Sequence, residues 1–162
     1  MPIRRILSYP DPRLRQPAAA VTAFDDDLRM LAADLRDTLR SAQALGITAP
    51  HVGVALQVVV IQLPEDEEAR VFVNPQIVFA SAETARNLEG SVSMQGLTET
   101  LERPARIEIA YQDLQGWQHA QEAAGLLAVC HQHEIDQLAG LFWIDRLSRL
   151  KRERLLKRYP QR

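Results

Sequence analysis

Residues 123–140, AAGLLAVCHQHEIDQLAG, constrain the fold more than any other stretch of the chain. They are apolar and end on a glycine, the residue best suited to stop a helix. An apolar helix of this length cannot lie open to water. The rest of the chain has to supply a cover for it.

The preceding sequence predicts what that cover is made of. QVVVIQL (57–63) is a continuous β-branched run and predicts a buried strand. RVFVNP and QIVFA, within 70–80, predict two strands split by Asn74-Pro75. RIEIAYQDL (106–114) alternates and predicts a strand that runs into a turn at Gln115-Gly116. Ahead of these strands, FDDDLRMLAADLRDTLRSAQALG (24–46) predicts a helix. Its Leu28, Leu31, Leu35 and Leu39 share a face, acids crowd its first turn, and Gly46 lies just past its end. The segment up to about Ala23, with prolines at 2, 10, 12 and 17, predicts extended, turn-rich chain. Strands clustered between two helices predict an α+β domain over residues 1–162, with antiparallel or mixed sheets around the HEIDQ helix.

Bulk properties narrow the function classes only a little. A chain of 162 residues with 46% hydrophobic and 25% charged residues can bury a core, and a net charge of -2 names no partner. The single cysteine, Cys130, excludes an internal disulfide and a four-cysteine zinc site. MPIRRILSYPDPRLRQ lacks the apolar core of a signal peptide, and no apolar run reaches the roughly 18 residues of a membrane span. The expectation is a soluble, cytoplasmic protein without a membrane partner. Eight Lys/Arg between Arg146 and Arg162 against the single acid Glu153 predict a basic C-terminal helix over about 147–160. Such a helix is either a solvated face packed on the domain or an electrostatic contact for a ribonucleoprotein.

The chemistry-bearing feature is HEIDQ (133–137). Two histidines four residues apart on a helix can grip one metal ion while a glutamate between them takes a proton from the bound water. Here His133 and Glu134 are present, but Gln137 stands at the second histidine's place. His131 lies about 200° around the helix from His133 and predicts a packed or solvated ring on the far face. Cys130 predicts a small buried packing residue, and His119 an exposed one in a polar turn.

With HEIDQ stand two glycine-punctuated segments beside the predicted sheet, QALGITAPHVG (43–53) and NLEGSVSMQG (87–96). In order and spacing the three resemble the motifs of peptide deformylases, G-x-G-x-A-A-x-Q, E-G-C-x-S and H-E-x-D-H. The similarity extends from YPDPRLRQPA through VFVNPQIV to LFWIDRLSRLKR. The resemblance implies a divalent iron or zinc ion held by the motif cysteine and both histidines. In this chain those positions are Ser91, His133 and Gln137, so only His133 is retained. A hydroxyl and a carboxamide are poor exchanges for thiolate and imidazole. The resemblance further implies Glu134 as general acid/base, Val92 as backbone N–H donor to an oxyanion, and Gly46 as a backbone contact to bound peptide. His51 stands where the family has the glutamine that polarises the formyl oxygen. Ala44, Thr48 and Gln95 replace a glycine, an alanine and a proline of the motifs, which predicts a reshaped groove.

Two readings stay open. In one, the chain lacks efficient N-formylmethionine deformylase activity, needs no metal, and keeps a groove for the N-terminal peptide of nascent chains. The ribosome is then the partner of the basic helix, as the resemblance implies for some bacterial members. In the other, the exchange of Gln and His between positions 51 and 137 marks a rearranged iron or zinc site built from His133, His51 and Ser91, serving a metal-dependent amidohydrolase.

Overall fold

A computed structural model describes residues 3–160; Pro2 and Arg162, counted above, lie outside the described residues. Helix α1 spans Asp26–Ser41, shorter than the predicted segment, and its first turn is capped by the Asp25 carboxylate accepting from the Leu28 N–H. Strands β1 (Gly46–Thr48), β2 (Val58–Ile61), β3 (Arg70–Ala80), β6 (Arg106–Gln112) and β7 (Gln118–Ala124) form one antiparallel sheet in the order β1-β2-β3-β6-β7. Strands β4 (Thr84–Ser91) and β5 (Met94–Pro104) pair in a separate antiparallel sheet. Helix α2 spans Gly125–Leu138 and helix α3 spans Arg149–Arg158.

The continuous β-branched run of β2 follows from burial on both faces. Val58 and Val60 pack with Leu28, Leu31, Leu35 and Leu39 of α1. Val59 and Ile61 turn the other way and pack with Ala128, Cys130 and Leu138 of α2. Side chains alternate along a strand, so a sheet with a helix on each side needs apolar residues at every position of its central strands. A third cluster holds Met94 and Leu101 of β5 against Phe142, Trp143, Ile144 and Leu155. Leu147 and Leu155 of the basic C-terminal segment are thus buried, whereas Leu150 is exposed.

Several expectations need correction. Residues 70–80 are one strand rather than two. Asn74 takes a left-handed φ of 51°, the register against β6 slips between Val73 and Gln76, and the strand continues past this bulge. The Asn74 amide fixes the bulge: its oxygen accepts from the Val21 N–H at 2.8 Å, and its nitrogen donates to the Val21 carbonyl at 3.0 Å and to Gln112 at 2.8 Å. Pro75 is tolerated there because a bulge releases a residue from the ladder. The segment 87–96 does not merely flank a sheet but supplies most of β4, the Val92-Ser93 turn and the start of β5. Ala123 and Ala124 end β7 and precede the helix. His119 is exposed as expected but lies on β7 rather than in a turn, 2.8 Å from Asp113. Among the described residues no helix is long and apolar enough to cross a membrane.

Gly140 locks the end of α2 onto the N-terminal segment. It has φ of +83°, and a Cβ there would overlap the backbone carbonyl of Arg15. Gly140→Ala adds left-handed strain to a backbone clash that no side-chain movement relieves. A loss of at least about 2 kcal/mol in urea unfolding is expected; a change under about 0.5 kcal/mol contradicts this packing.

Candidate functional site

Helix α2, strand β1, the 3-10 turn after β1 and the β4–β5 hairpin enclose a cavity of about 420 Å³. Its polar wall carries His51, Glu89, Ser91, His133 and Glu134. Leu45, Leu88 and Leu126 form a partly exposed apolar rim. The tertiary structure therefore brings together the three sequence segments singled out above. Gly46 and Val92 also line the cavity; Gln137 is not among the lining residues.

His133 is held from behind. Its Nδ1 lies 3.1 Å from Oε1 of Glu89, and Glu89 receives two bonds from the buried Arg103 guanidinium, at 2.6 and 3.1 Å. Arg103 also donates to Asp136 at 2.9 Å, and Arg146 donates to both Asp136 oxygens at 2.9 Å. Burial pushes the Glu89 carboxyl up, but the bonds from His133 and Arg103 outweigh it and hold the group below the usual carboxylate range. An ionised carboxylate only accepts, so Nδ1 of His133 carries a proton, and in the neutral form of the ring the lone pair is on Nε2. Burial depresses His133, while the neighbouring Glu134 and Glu89 carboxylates raise it, with a net upward shift.

His51 presents the opposite face of imidazole chemistry. Its Nδ1 accepts from the Thr48 backbone N–H at 2.9 Å, and the Thr48 hydroxyl stands at the same distance. This reciprocal cap closes the 3-10 turn Ala49–Val52. Complete burial, with a further contribution from His133, lowers the His51 pKa to about 3, so the ring is neutral. A neutral ring that accepts at Nδ1 carries its proton on Nε2. That Nε2–H is buried and has no partner among the described residues.

Glu134 is the second orphan. Its Oε1 is buried without a partner, and burial raises its pKa to about 7. Oε2 packs against the Cα of Gly46 so closely that a Cβ there would overlap it. A side chain at residue 46 would therefore push the carboxylate out of its present place. Ser91 Oγ accepts from the Ser93 N–H at 3.1 Å, which leaves its own hydroxyl proton free to donate. Gln137 donates its amide to the Leu14 carbonyl at 2.6 Å and so ties α2 to the N-terminal segment. Cys130 is buried, its thiol pushed up to about 12 by desolvation and by Glu134. His131 is buried on the other side of α2, edge-on to Phe72 and bonded to Gln121.

A sequence profile for polypeptide deformylase matches residues 3–153. The chain belongs to that family. A peptide deformylase-like protein of Brucella melitensis is 57% identical over 161 residues, which cover 99% of this chain and 98% of that protein. A peptide deformylase of Phenylobacterium zucineum is 44% identical, with 98% and 95% covered. Among solved structures, a peptide deformylase from Legionella pneumophila superposes with a TM-score of 0.88 at 37% identity, over 98% of this chain and 99% of its own. One from Synechococcus elongatus, in complex with actinonin, gives 0.92 at 35% identity, over 97% and 88%.

The deformylase family uses a divalent metal, and the donors present in this chain do not fit one. His133 Nε2 is a competent ligand. His51 is not, because ligation through Nε2 would force its proton onto Nδ1, against the Thr48 N–H. Gln137 offers only an amide oxygen and Ser91 only a hydroxyl, both feeble toward iron or zinc. Among the described residues no three His, Cys, Asp or Glu side chains are placed to share an ion. The rearranged His51 site thus meets a structural obstacle that the sequence did not reveal. Glu89 and Arg103 were not singled out from the sequence, and Thr48 was noted there only as a departure from the motif, not as the partner of His51. Glu89 stands inside the EGSVS motif and was there to be found, whereas Arg103 has no local signal and reaches Glu89 only through the β4–β5 hairpin.

Proposed function

We propose that this deformylase-family protein has given up metal-dependent hydrolysis of N-formyl peptides and keeps the groove as a holder for the N-terminal peptide of nascent chains. The observation that carries this reading is the donor set around His133: one free imidazole nitrogen, with the second imidazole turned into an N–H donor by Thr48. Glu134 alone supplies no hydroxide at neutral pH without an ion to acidify water. The retained features suit binding. His51 Nε2–H and Val92 N–H are donors for a carbonyl, and the Leu45, Leu88 and Leu126 rim accepts an apolar side chain. The basic residues of α3 favour the ribosome as the place where such a peptide is met.

Formyl-Met-Ala peptides should show no turnover above background when the protein is supplied with iron, zinc, nickel or cobalt. The variant Ser91→Cys/His51→Gln/Gln137→His should bind one metal ion and exceed the wild type by at least about 10³ in kcat/KM, given the weight of a metal hydroxide in such chemistry. Robust metal-dependent turnover by the wild type overturns the reading. Calorimetry with the same peptides tests the holding role, and no measurable heat sinks that part.

A further inference from the structure

We propose that Ser91, His133 and Glu89 form a metal-independent nucleophile–base–carboxylate triad that cleaves carboxylic esters with a short apolar acyl group. A groove that binds without reacting satisfies the peptide-holding reading and would sink this one, so the two stand or fall separately.

Each part of such a triad is present, and its carboxylate–imidazole pair is already joined. Glu89 is buried, ionised and fixed by Arg103, and it accepts from Nδ1 of His133 at 3.1 Å. That bond fixes the tautomer of the neutral ring, in which Nε2 is the basic nitrogen, the arrangement that lets imidazole take a proton from a hydroxyl. Ser91 and His133 line the same cavity, and the Ser91 oxygen is held by the Ser93 N–H while its proton is uncommitted. Ser91 and His133 are not hydrogen-bonded to each other in this structure. A single side-chain torsion re-aims a serine hydroxyl, and catalytic bonds commonly close only around substrate.

The oxyanion donors point to the same reaction. Val92, the residue directly after the nucleophile, lines the cavity and carries a backbone N–H. The His51 Nε2–H is buried, unpartnered and in the same cavity. An unsatisfied buried donor is costly, and a developing negative oxygen is the partner that would reward it most. The unpartnered Glu134 Oε1 gives a further group, placed to orient a water.

The steps balance. Ser91 Oγ attacks the ester carbonyl carbon as its proton passes to His133 Nε2, and the carbonyl oxygen becomes an oxyanion bonded to Val92 N–H and His51 Nε2–H. Collapse breaks the acyl carbon–oxygen bond, and the leaving alcohol takes the proton from His133. Water then attacks the acyl-serine with His133 again as base, releasing the carboxylic acid and free Ser91.

The test uses the full chain treated with chelator. It is exposed to a fluorophosphonate, which reacts with activated serines, and separately to 4-nitrophenyl butyrate. One phosphonyl group on Ser91 by peptide mass spectrometry is expected, together with ester turnover that chelation leaves unchanged. Ser91→Ala should lose both. His133→Gln should slow labelling by about 10²–10⁴, the range of a general base. Glu89→Gln, a near-isosteric change, should shift the pH profile of labelling, a readout that a purely structural role would not move. His51→Gln should lower kcat by about 10²–10³ for a lost oxyanion donor. Circular dichroism confirms that each variant is folded before its rate is read. Labelling elsewhere than Ser91, ester turnover undiminished in folded Ser91→Ala, or loss of activity on chelation overturns the proposal.

Discussion

Replacing Arg103 with leucine is expected to destabilise the protein by about 3–5 kcal/mol, the cost of leaving a buried carboxylate without its cation. Arg103 and Glu89 are each 5% exposed, and the guanidinium makes two bonds to Glu89 and one to Asp136. Asp136 keeps Arg146, so the loss falls mainly on Glu89. The His133 ring cannot compensate fully, because it offers Glu89 one donor where Arg103 offers two. The double variant Arg103→Leu/Glu89→Gln should recover most of the loss, since a neutral amide can still accept from His133 Nδ1–H and leaves no charge unpaired. Urea unfolding of wild type and the three variants completes the cycle. Equal losses in Arg103→Leu and in the double variant would show that the deficit is packing rather than charge.

The second large effect concerns pH. Glu134 titrates at about 7 in the folded chain, against an ordinary 4.5. Between those values the folded state binds a proton that the unfolded state does not, so this group's contribution makes stability fall as pH rises through the window. Glutamine has the same shape and never ionises. Glu134→Gln should therefore match the wild type near pH 4 and exceed it by on the order of 3 kcal/mol at pH 8, at 1.36 kcal/mol per unit. His51 works in the opposite sense. Its pKa falls from 6.5 to about 3, so its contribution rises with pH across that range. Both proteins share this term, so the difference between them reports Glu134 together with its coupling to His133. Parallel stability curves from pH 4 to 8 would refute the burial of an unpaired carboxyl.

The two helices were legible because their patterns are local. The leucine spacing of α1 and the apolar, glycine-ended run of α2 each survive within a few residues of their predicted limits. So does β2, whose two buried faces remove every polar residue from it. Strands β4 and β7 were illegible for the converse reason. TARNLEGS and QHAQEAA are largely polar, since β4 belongs to a two-stranded sheet and β7 is an edge, each with much of its surface in water. The Asn74 bulge was misread as a break because the bonds that hold it reach residues 53 and 38 positions away.

At the site, sequence alone determined which residues occupy the deformylase motifs and hence that Ser91, His51 and Gln137 depart from them. Residue identity also sufficed to rule thiolate and a second motif imidazole out of the donor set. It could not determine the protonation of the two histidines that remain. That was decided by the folded structure, because one ring nitrogen of each is assigned by its partner: the Thr48 N–H, three residues away in the same capped turn, for His51, and the Glu89 carboxylate, 44 residues away, for His133. The same side chain is therefore a hydrogen-bond donor at position 51 and a base at position 133.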